Sequence, residues 1–270
     1  MPFARLPRLL GALALSSSLS VALIAARVVT TGTFAYVFLV WNLFLAWVPF
    51  ALALGITLLA KRSTRVRSAP LGFLVIAWFL FFPNAPYLVT DLIHLSFRKP
   101  GPSGALLFDS VMFFSFAFSG LLTGFLSLRI VEQEVKEAWG RAASWVVTLL
   151  TLTASGVGVT VGRFDRFNSW DVATQPITIF AGIIHRITHD PRAISTTLLF
   201  GVFFVVSYVT VTQVLVSCAP PWHTPSKSRS LDALPVGPAA SPSPRASFAS
   251  AKRHRTSSVK SVTRRIDGIT

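Results

Sequence analysis

The chain has 270 residues, of which 52% are hydrophobic and only 13% are charged, whereas a soluble globular domain has about 25% charged residues. Its single cysteine, Cys218, excludes an internal disulfide and any multi-cysteine zinc or iron–sulfur site. The net charge of +15 comes largely from loops between apolar runs and from the C-terminal segment. Basic residues there set membrane topology and contact anionic lipid, so no nucleic acid partner is predicted.

Two apolar runs of membrane-spanning length lie near the N-terminus. A helix needs about 20 apolar residues to cross the hydrocarbon core of a bilayer, and residues 9–26 and 34–59 meet this requirement. A short basic start followed by an apolar run is also typical of a signal peptide. Residues 1–33 are therefore predicted to form an N-terminal span with a short loop, and cleavage of this span stays an alternative.

The third predicted span begins near Pro70 and is interrupted by the sequence F-P-N-A-P-Y at residues 82–87. Pro83 and Pro86 lack a backbone donor and disfavour helix in the residue before them. Lipid cannot satisfy the carbonyls freed in this way, and the Asn84 side chain suits that role. The pattern predicts a kinked or broken helix, which either lines a binding site or simply bends around a neighbouring helix.

Three further spans are predicted at residues 105–128, 142–162 and 196–218. The loop between the first two carries Glu132, Glu134 and Glu137, which are expected to be solvated. Residues 171–189 place their apolar side chains on one helical face and are too short and too polar to span, so they predict a helix lying in the membrane interface. The glycine pairs Gly120/Gly124 and Gly158/Gly162 have the spacing of close helix packing.

These patterns together predict an all-α fold, a polytopic integral membrane helical bundle. It has about six transmembrane helices, one interfacial helix and a disordered C-terminal tail. Six spans put most Lys and Arg, and both termini, on the cytoplasmic side, whereas a seventh span would put the basic tail outside. Residues 34–218 are the predicted membrane domain. Residues 219–270, rich in Pro, Ser and basic residues, are the predicted tail, with possible contact to anionic lipid.

Polar side chains within or beside the spans are the candidate functional residues, because such groups need partners in a bilayer. The rise per residue of a helix places Asn42 and Asn84 at similar depth in the outer leaflet, where they could face each other. A cluster of carboxylates and arginines is expected at the same surface, either as salt bridges alone or as a ligand site. The candidate ligand-binding residues are Asn42, Asn84, Tyr87, Asp91, Asp109, Arg163, Arg166, Asn168, Trp170 and Asp171.

Three histidines offer a weak indication of metal binding. His94 lies three residues after Asp91, and His185 and His189 lie four residues apart, so each pair would share a helical face. A zinc signature such as H-E-x-x-H is absent from the sequence. Interfacial histidines explain the pattern without a metal, and no cofactor is predicted.

Three motifs resemble one family of bacterial membrane proteins. They are W-N-L-F-L-A-W at residues 41–47, F-F-P-N-A-P-Y-L-V-T-D-L-I-H at 81–94, and G-R-F-D-R-F-N-S-W-D-V-A-T-Q-P at 162–176. In these the chain resembles domain-of-unknown-function family 1361 over about residues 34–216. The resemblance implies a multi-pass protein of the bacterial cytoplasmic (inner) membrane. It implies no reaction.

Three functions remain open at this point, and whether the protein is an enzyme is undecided. The first is binding or transport of a small polar or lipid-headgroup ligand, with Arg163 and Arg166 holding an anionic group and Asp91 and Asp171 binding or relaying cations or protons. The second is a membrane enzyme acting on a lipid or isoprenoid-linked substrate, with Asp91 or Asp171 as general base. The third is an accessory subunit that packs against a membrane partner protein and docks through its tail.

Overall fold

The chain folds as a bundle of helices, seen in a computed structural model that describes residues 6–62, 69–96, 103–164 and 171–217. Within those ranges there is no strand. The helices are α1 (Leu6–Thr31), α2 (Phe38–Arg62), α3 (Ala69–Phe81), α4 (Asn84–Tyr87), a 3-10 helix (Leu88–Leu95), α5 (Ser103–Phe164), α6 (Asp171–Thr174), α7 (Pro176–His189) and α8 (Pro191–Ser217). The predicted tail lies outside the described residues.

Five of these helical stretches are long and apolar enough to cross a membrane. One of them is α5, whose 62 residues are divided at Gly140, where φ is +86° and the backbone leaves the helical region. Residues with a side chain rarely adopt such a φ, so glycine permits the break. The division gives a first arm, residues 103–139, and a second arm, residues 141–164. Each arm exceeds the roughly 20 residues that a span needs, so the predicted all-α bundle of about six spans is confirmed.

The outward faces of the spanning helices are strongly apolar. Leu15, Phe73, Leu107 and Leu199 each expose between 67% and 74% of their surface. Exposing so many large apolar side chains to water would cost free energy. A lipid environment removes this cost, which agrees with the multi-pass character of the chain.

The interfacial helix predicted at residues 171–189 is found as the short α6 followed by α7. At about 1.5 Å per residue, the 14 residues of α7 extend roughly 21 Å, which is less than the roughly 30 Å hydrocarbon core. Three of its apolar side chains, those of Ile177, Phe180 and Ile184, are exposed on the face that the sequence predicted. The length of α7 and its one-sided apolar face agree with the predicted interfacial helix.

The prediction that residues 129–141 form a loop was wrong, as was the expected solvation of Glu132, whereas Glu137 is exposed as expected. The first arm continues as helix to residue 139, and Glu132 is buried rather than solvated. Its carboxylate accepts hydrogen bonds from Arg129, at 2.8 and 2.9 Å, and from the hydroxyl of Tyr208 in α8. Burial is tolerated because these donors replace water. The three side chains thus join α8 to the first arm.

The third span is broken where its two prolines predicted, in the proline segment (residues 82–87). Helix α3 ends at Phe81, and the chain continues through the one-turn α4 into the 3-10 helix. The side-chain amide of Asn84 donates to the Phe81 carbonyl at 3.0 Å, and the Ala85 N–H donates to the Phe82 carbonyl at 3.1 Å. The Phe81 and Phe82 carbonyls at the break therefore receive donors from the proline segment itself.

Both arms of α5 approach the proline segment through glycines. A Cβ atom at Gly120 would lie 2.6 Å from the Ala85 carbonyl oxygen, and one at Gly124 would lie 2.9 Å from the Ala85 Cβ. In the second arm, a Cβ at Gly158 would lie 2.8 Å from the Pro83 Cβ. No side chain larger than hydrogen fits at these distances. The packing role predicted for Gly120, Gly124 and Gly158 is confirmed, and the proline segment contacts both arms.

Replacing Gly120 with alanine is expected to destabilise the protein by about 1–3 kcal/mol, the usual cost of overpacking. The added methyl group meets a backbone carbonyl, which cannot move aside as a flexible side chain can. Thermal unfolding of the purified protein in detergent measures the loss. Gly72→Ala is the matched control, because a Cβ at Gly72 has nothing within 4 Å. Equal stability of the two variants would contradict the close packing.

Candidate functional site

The 3-10 helix that follows the proline segment directs Asp91 into the bundle. Asp91 is only 1% exposed, and a buried carboxylate needs donors to replace water. Asn42 of α2 donates its side-chain N–H to Asp91 Oδ2 at 2.9 Å. Arg163, near the end of the second arm, places Nη1 3.4 Å from Asp91 Oδ1. Three elements that are distant in sequence therefore meet at one carboxylate.

Arg163 has one short hydrogen bond and several long contacts. Its Nη2 donates to the Thr90 carbonyl at 2.5 Å. Its Nη1 lies 3.5 Å from both the Tyr87 hydroxyl and His94 Nε2, at the outer limit for a hydrogen bond. The guanidinium carbon is 5.7 Å from the centre of the Tyr87 ring. With 18% of its side chain exposed, Arg163 is the accessible member of its pair with Asp91.

A second ion pair is tighter. Arg27 of α1 donates from Nε to Asp109 Oδ1 at 2.8 Å and from Nη1 to the Thr33 hydroxyl at 2.9 Å. The Arg27 guanidinium also lies over the Tyr36 ring, 4.2 Å from its centre, which is a favourable cation–π distance. Only 11% of the Arg27 side chain and 4% of the Asp109 side chain are exposed. The contacts of this pair are shorter than those between Arg163 and Asp91, and its arginine is the less exposed of the two.

Aromatic rings connect the two ion pairs. Tyr36, which packs under Arg27, contacts Phe113 edge-on with ring centres 5.0 Å apart. Phe113 stacks with His94 at 6.3 Å, and His94 also meets Phe38 at 5.0 Å. Since His94 neighbours Arg163, the contacts are continuous from one pair to the other. The two pairs thus belong to one polar cluster with an apolar bridge.

Several candidate residues take places other than those expected. Asn42 donates to Asp91, whereas Asn84 donates within its own segment. Asp109 pairs with Arg27, which was not among the candidate residues. The sequence places both near the same membrane surface, but no pattern in it indicates that they face each other. Asp171 begins α6 and is half-buried. Arg166, Asn168 and Trp170 lie outside the described residues.

The histidines are found in two separate settings. His94 lies among aromatic rings beside Arg163. His185 and His189 stack on α7 with ring centres 4.5 Å apart. Across the described ranges, no group of three or more His, Cys, Asp or Glu side chains could hold a metal ion. The combination of His94 with His185 and His189 therefore does not form such a group.

Asp109→Asn is expected to destabilise the protein more than Asp91→Asn. Loss of the Asp109 charge leaves the buried Arg27 unpaired, which costs up to about 3–5 kcal/mol. Arg163 is more exposed and keeps its bond to the Thr90 carbonyl, so Asp91→Asn should cost about 1–3 kcal/mol. Thermal unfolding in detergent compares the two. The reverse order would mean that the Arg27–Asp109 pair is not the tighter one.

The sequence match to known proteins covers most of this architecture. Residues 41–209 match the model of a family described as a protein of unknown function (DUF1361). The matched region begins in α2, ends in α8 and contains Asn42, Asp91 and Arg163, while α1 lies before it. No curated protein and no solved structure matches the chain significantly. Because the match extends over more than half of the chain, the protein belongs to the DUF1361 family.

Proposed function

We propose that this multi-pass membrane protein binds an anionic group at Arg163, in the site formed with Asp91 and Asn42. The ligand class is a phosphate or carboxylate carried by a small polar molecule or by a lipid headgroup. We further propose that the membrane is the bacterial cytoplasmic membrane and that both termini are cytoplasmic. The distribution of Lys and Arg between the predicted loops supports this orientation.

The contrast between the two ion pairs carries the proposal. Arg27 and Asp109 are 2.8 Å apart and almost wholly enclosed, as expected for a pair that stabilises the fold. Arg163 and Asp91 are 3.4 Å apart, and the arginine is partly accessible. Apart from the bond to the Thr90 carbonyl, the polar contacts of Arg163 are 3.4–3.5 Å long, so the guanidinium loses little when it exchanges one of these for a better acceptor. An incoming anion can provide that acceptor.

The arrangement around Arg163 suits recognition of a planar or tetrahedral oxyanion. Its guanidinium presents parallel N–H donors that match two oxygens of a phosphate or carboxylate. Asp91 keeps the hydrogen bond from Asn42 when Arg163 turns toward a ligand, so its carboxylate is not left without a donor. The hydroxyl of Tyr87 and the ring nitrogen of His94 are close enough to supplement the contact.

Binding is favoured over catalysis by the burial of Asp91. A general base must reach the proton that it removes, and Asp91 is 1% exposed with both oxygens engaged, one by Asn42 and one by Arg163. This arrangement suits a residue that positions an arginine. Roles for Asp171 as a base or relay, and for the tail as a docking element for a partner protein, stay predictions.

Dihexanoylphosphatidic acid is expected to raise the unfolding temperature of the full-length protein in detergent. A ligand at about 100 times its Kd adds about 2.7 kcal/mol of stability. Arg163→Gln should abolish the shift, because it removes the charged donors. Arg186→Gln is the matched control, since Arg186 lies on α7 and pairs there with Asp190. Radiolabelled phosphate uptake into proteoliposomes then separates transport from binding.

Repeating the unfolding measurement with inorganic phosphate in place of the short-chain lipid distinguishes the source of the anion. A shift with inorganic phosphate as well as with the short-chain lipid supports a free oxyanion as ligand, whereas a shift with the lipid alone supports a headgroup. An equal shift in wild type and Arg163→Gln would contradict the proposed site. The proposed site would also be contradicted if the short-chain lipid, inorganic phosphate and a short-chain carboxylate such as hexanoate all failed to shift the unfolding temperature.

A further inference from the structure

A second candidate site lies at the other feature that interrupts a long helix, the break at Gly140. The two arms of α5 leave a groove of about 590 Å³ between themselves, α2 and α3, a volume within the range of ligand pockets. Its walls are almost entirely apolar. Representative lining residues are Ile56, Val75, Phe79, Trp139, Val147 and Leu150.

The polar lining of the groove is acidic and lies close to the break. Glu134, six residues before Gly140, is half-buried, and Glu137, three residues before it, is exposed. Neither has an ion-pair partner in the part of the chain that the structure describes. Two carboxylates at one end of an apolar groove favour a cationic group at that end.

One buried hydroxyl also lines the groove without a partner. Thr151 is 1% exposed, and its oxygen has no hydrogen-bond partner among the described residues. At about 1.5 Å per residue, Thr151 lies roughly 16 Å along the second arm from Gly140, and Glu134 lies roughly 9 Å along the first arm. Thr151 is thus roughly 7 Å farther from the break than Glu134, so a ligand that meets both needs a polar acceptor beyond its cationic end.

We propose that this groove binds one hydrocarbon chain of a membrane lipid whose headgroup carries an ammonium group. The apolar walls belong to membrane-spanning helices, so a lipid chain is the molecule that meets them. The ammonium group lies beside Glu134 and Glu137, and an ester carbonyl further down the lipid accepts from Thr151. The inference rests on a different surface from the Arg163 site, and either one can fail without the other.

Native mass spectrometry of the full-length protein tests the proposal. The protein is incubated in detergent with equal amounts of phosphatidylethanolamine and phosphatidylglycerol that have identical acyl chains. Exposed ion pairs contribute modestly, so we expect wild type to retain phosphatidylethanolamine over phosphatidylglycerol by roughly threefold. The double variant Glu134→Gln/Glu137→Gln should retain both lipids about equally, because the carboxylates that select the ammonium group are gone.

Two adjacent valines provide the test of location. Val147 lines the groove, whereas Val146 is 56% exposed on the outer surface of the same arm. Val147→Trp fills the groove and should abolish retention of the lipid, while Val146→Trp adds the same side chain outside it and should leave retention unchanged.

Three outcomes would overturn the proposal. The first is equal retention of the two lipids by wild type, and the second is equal loss in both tryptophan variants. The third is a dimer that Val147→Trp alone dissociates, which would assign the groove to a second copy of the chain. The double glutamine variant keeps the test decisive if Val147→Trp does not fold.

Discussion

The packing of the proline segment against three glycines is the constraint on which the rest of the structure depends. Pro83 prevents the third span from continuing as one helix, and the proline segment that contains it lies against both arms of α5. Gly120 brings the first arm against the Ala85 carbonyl and Gly158 brings the second arm against the Pro83 ring, so the proline segment cannot shift toward either arm without a clash. The break is therefore a fixed corner, and it determines where the next residues point.

The position of that corner explains the polar cluster. The 3-10 helix after the break is short and emerges between α2 and α5, so Asp91 meets Asn42 on one side and Arg163 on the other. A buried charge in a membrane protein requires such partners. The Arg27–Asp109 pair meets the same requirement more tightly, which leaves Arg163 as the accessible cation of the cluster. The two pairs thus meet the same requirement with different geometry.

The sequence was sufficient for features that depend on local chemistry. Hydropathy predicted the spans, prolines predicted the break at residues 82–87, and the burial cost of polar groups predicted that Asp91 would find partners. The choice of partner could not be predicted, because Arg27–Asp109 depends on how two helices rotate against each other. Glu132 was misassigned for a related reason. A charged stretch of sequence is typical of a loop. In the fold, the hydroxyl of Tyr208 from a distant helix donates a hydrogen bond to Glu132 and so compensates for the burial of its carboxylate.

Cysteine cross-linking tests the central claim, that the fixed corner places Asp91 beside α2 and the second arm. In a Cys218→Ser background, Asn42→Cys combined with Asp91→Cys should cross-link efficiently with a short bifunctional thiol reagent. Phe44→Cys combined with Asp91→Cys should not cross-link. Phe44 lies on α2, as Asn42 does, but it is 57% exposed on the outer face of that helix. Efficient cross-linking of the Phe44 pair, with none for the Asn42 pair, would contradict the account.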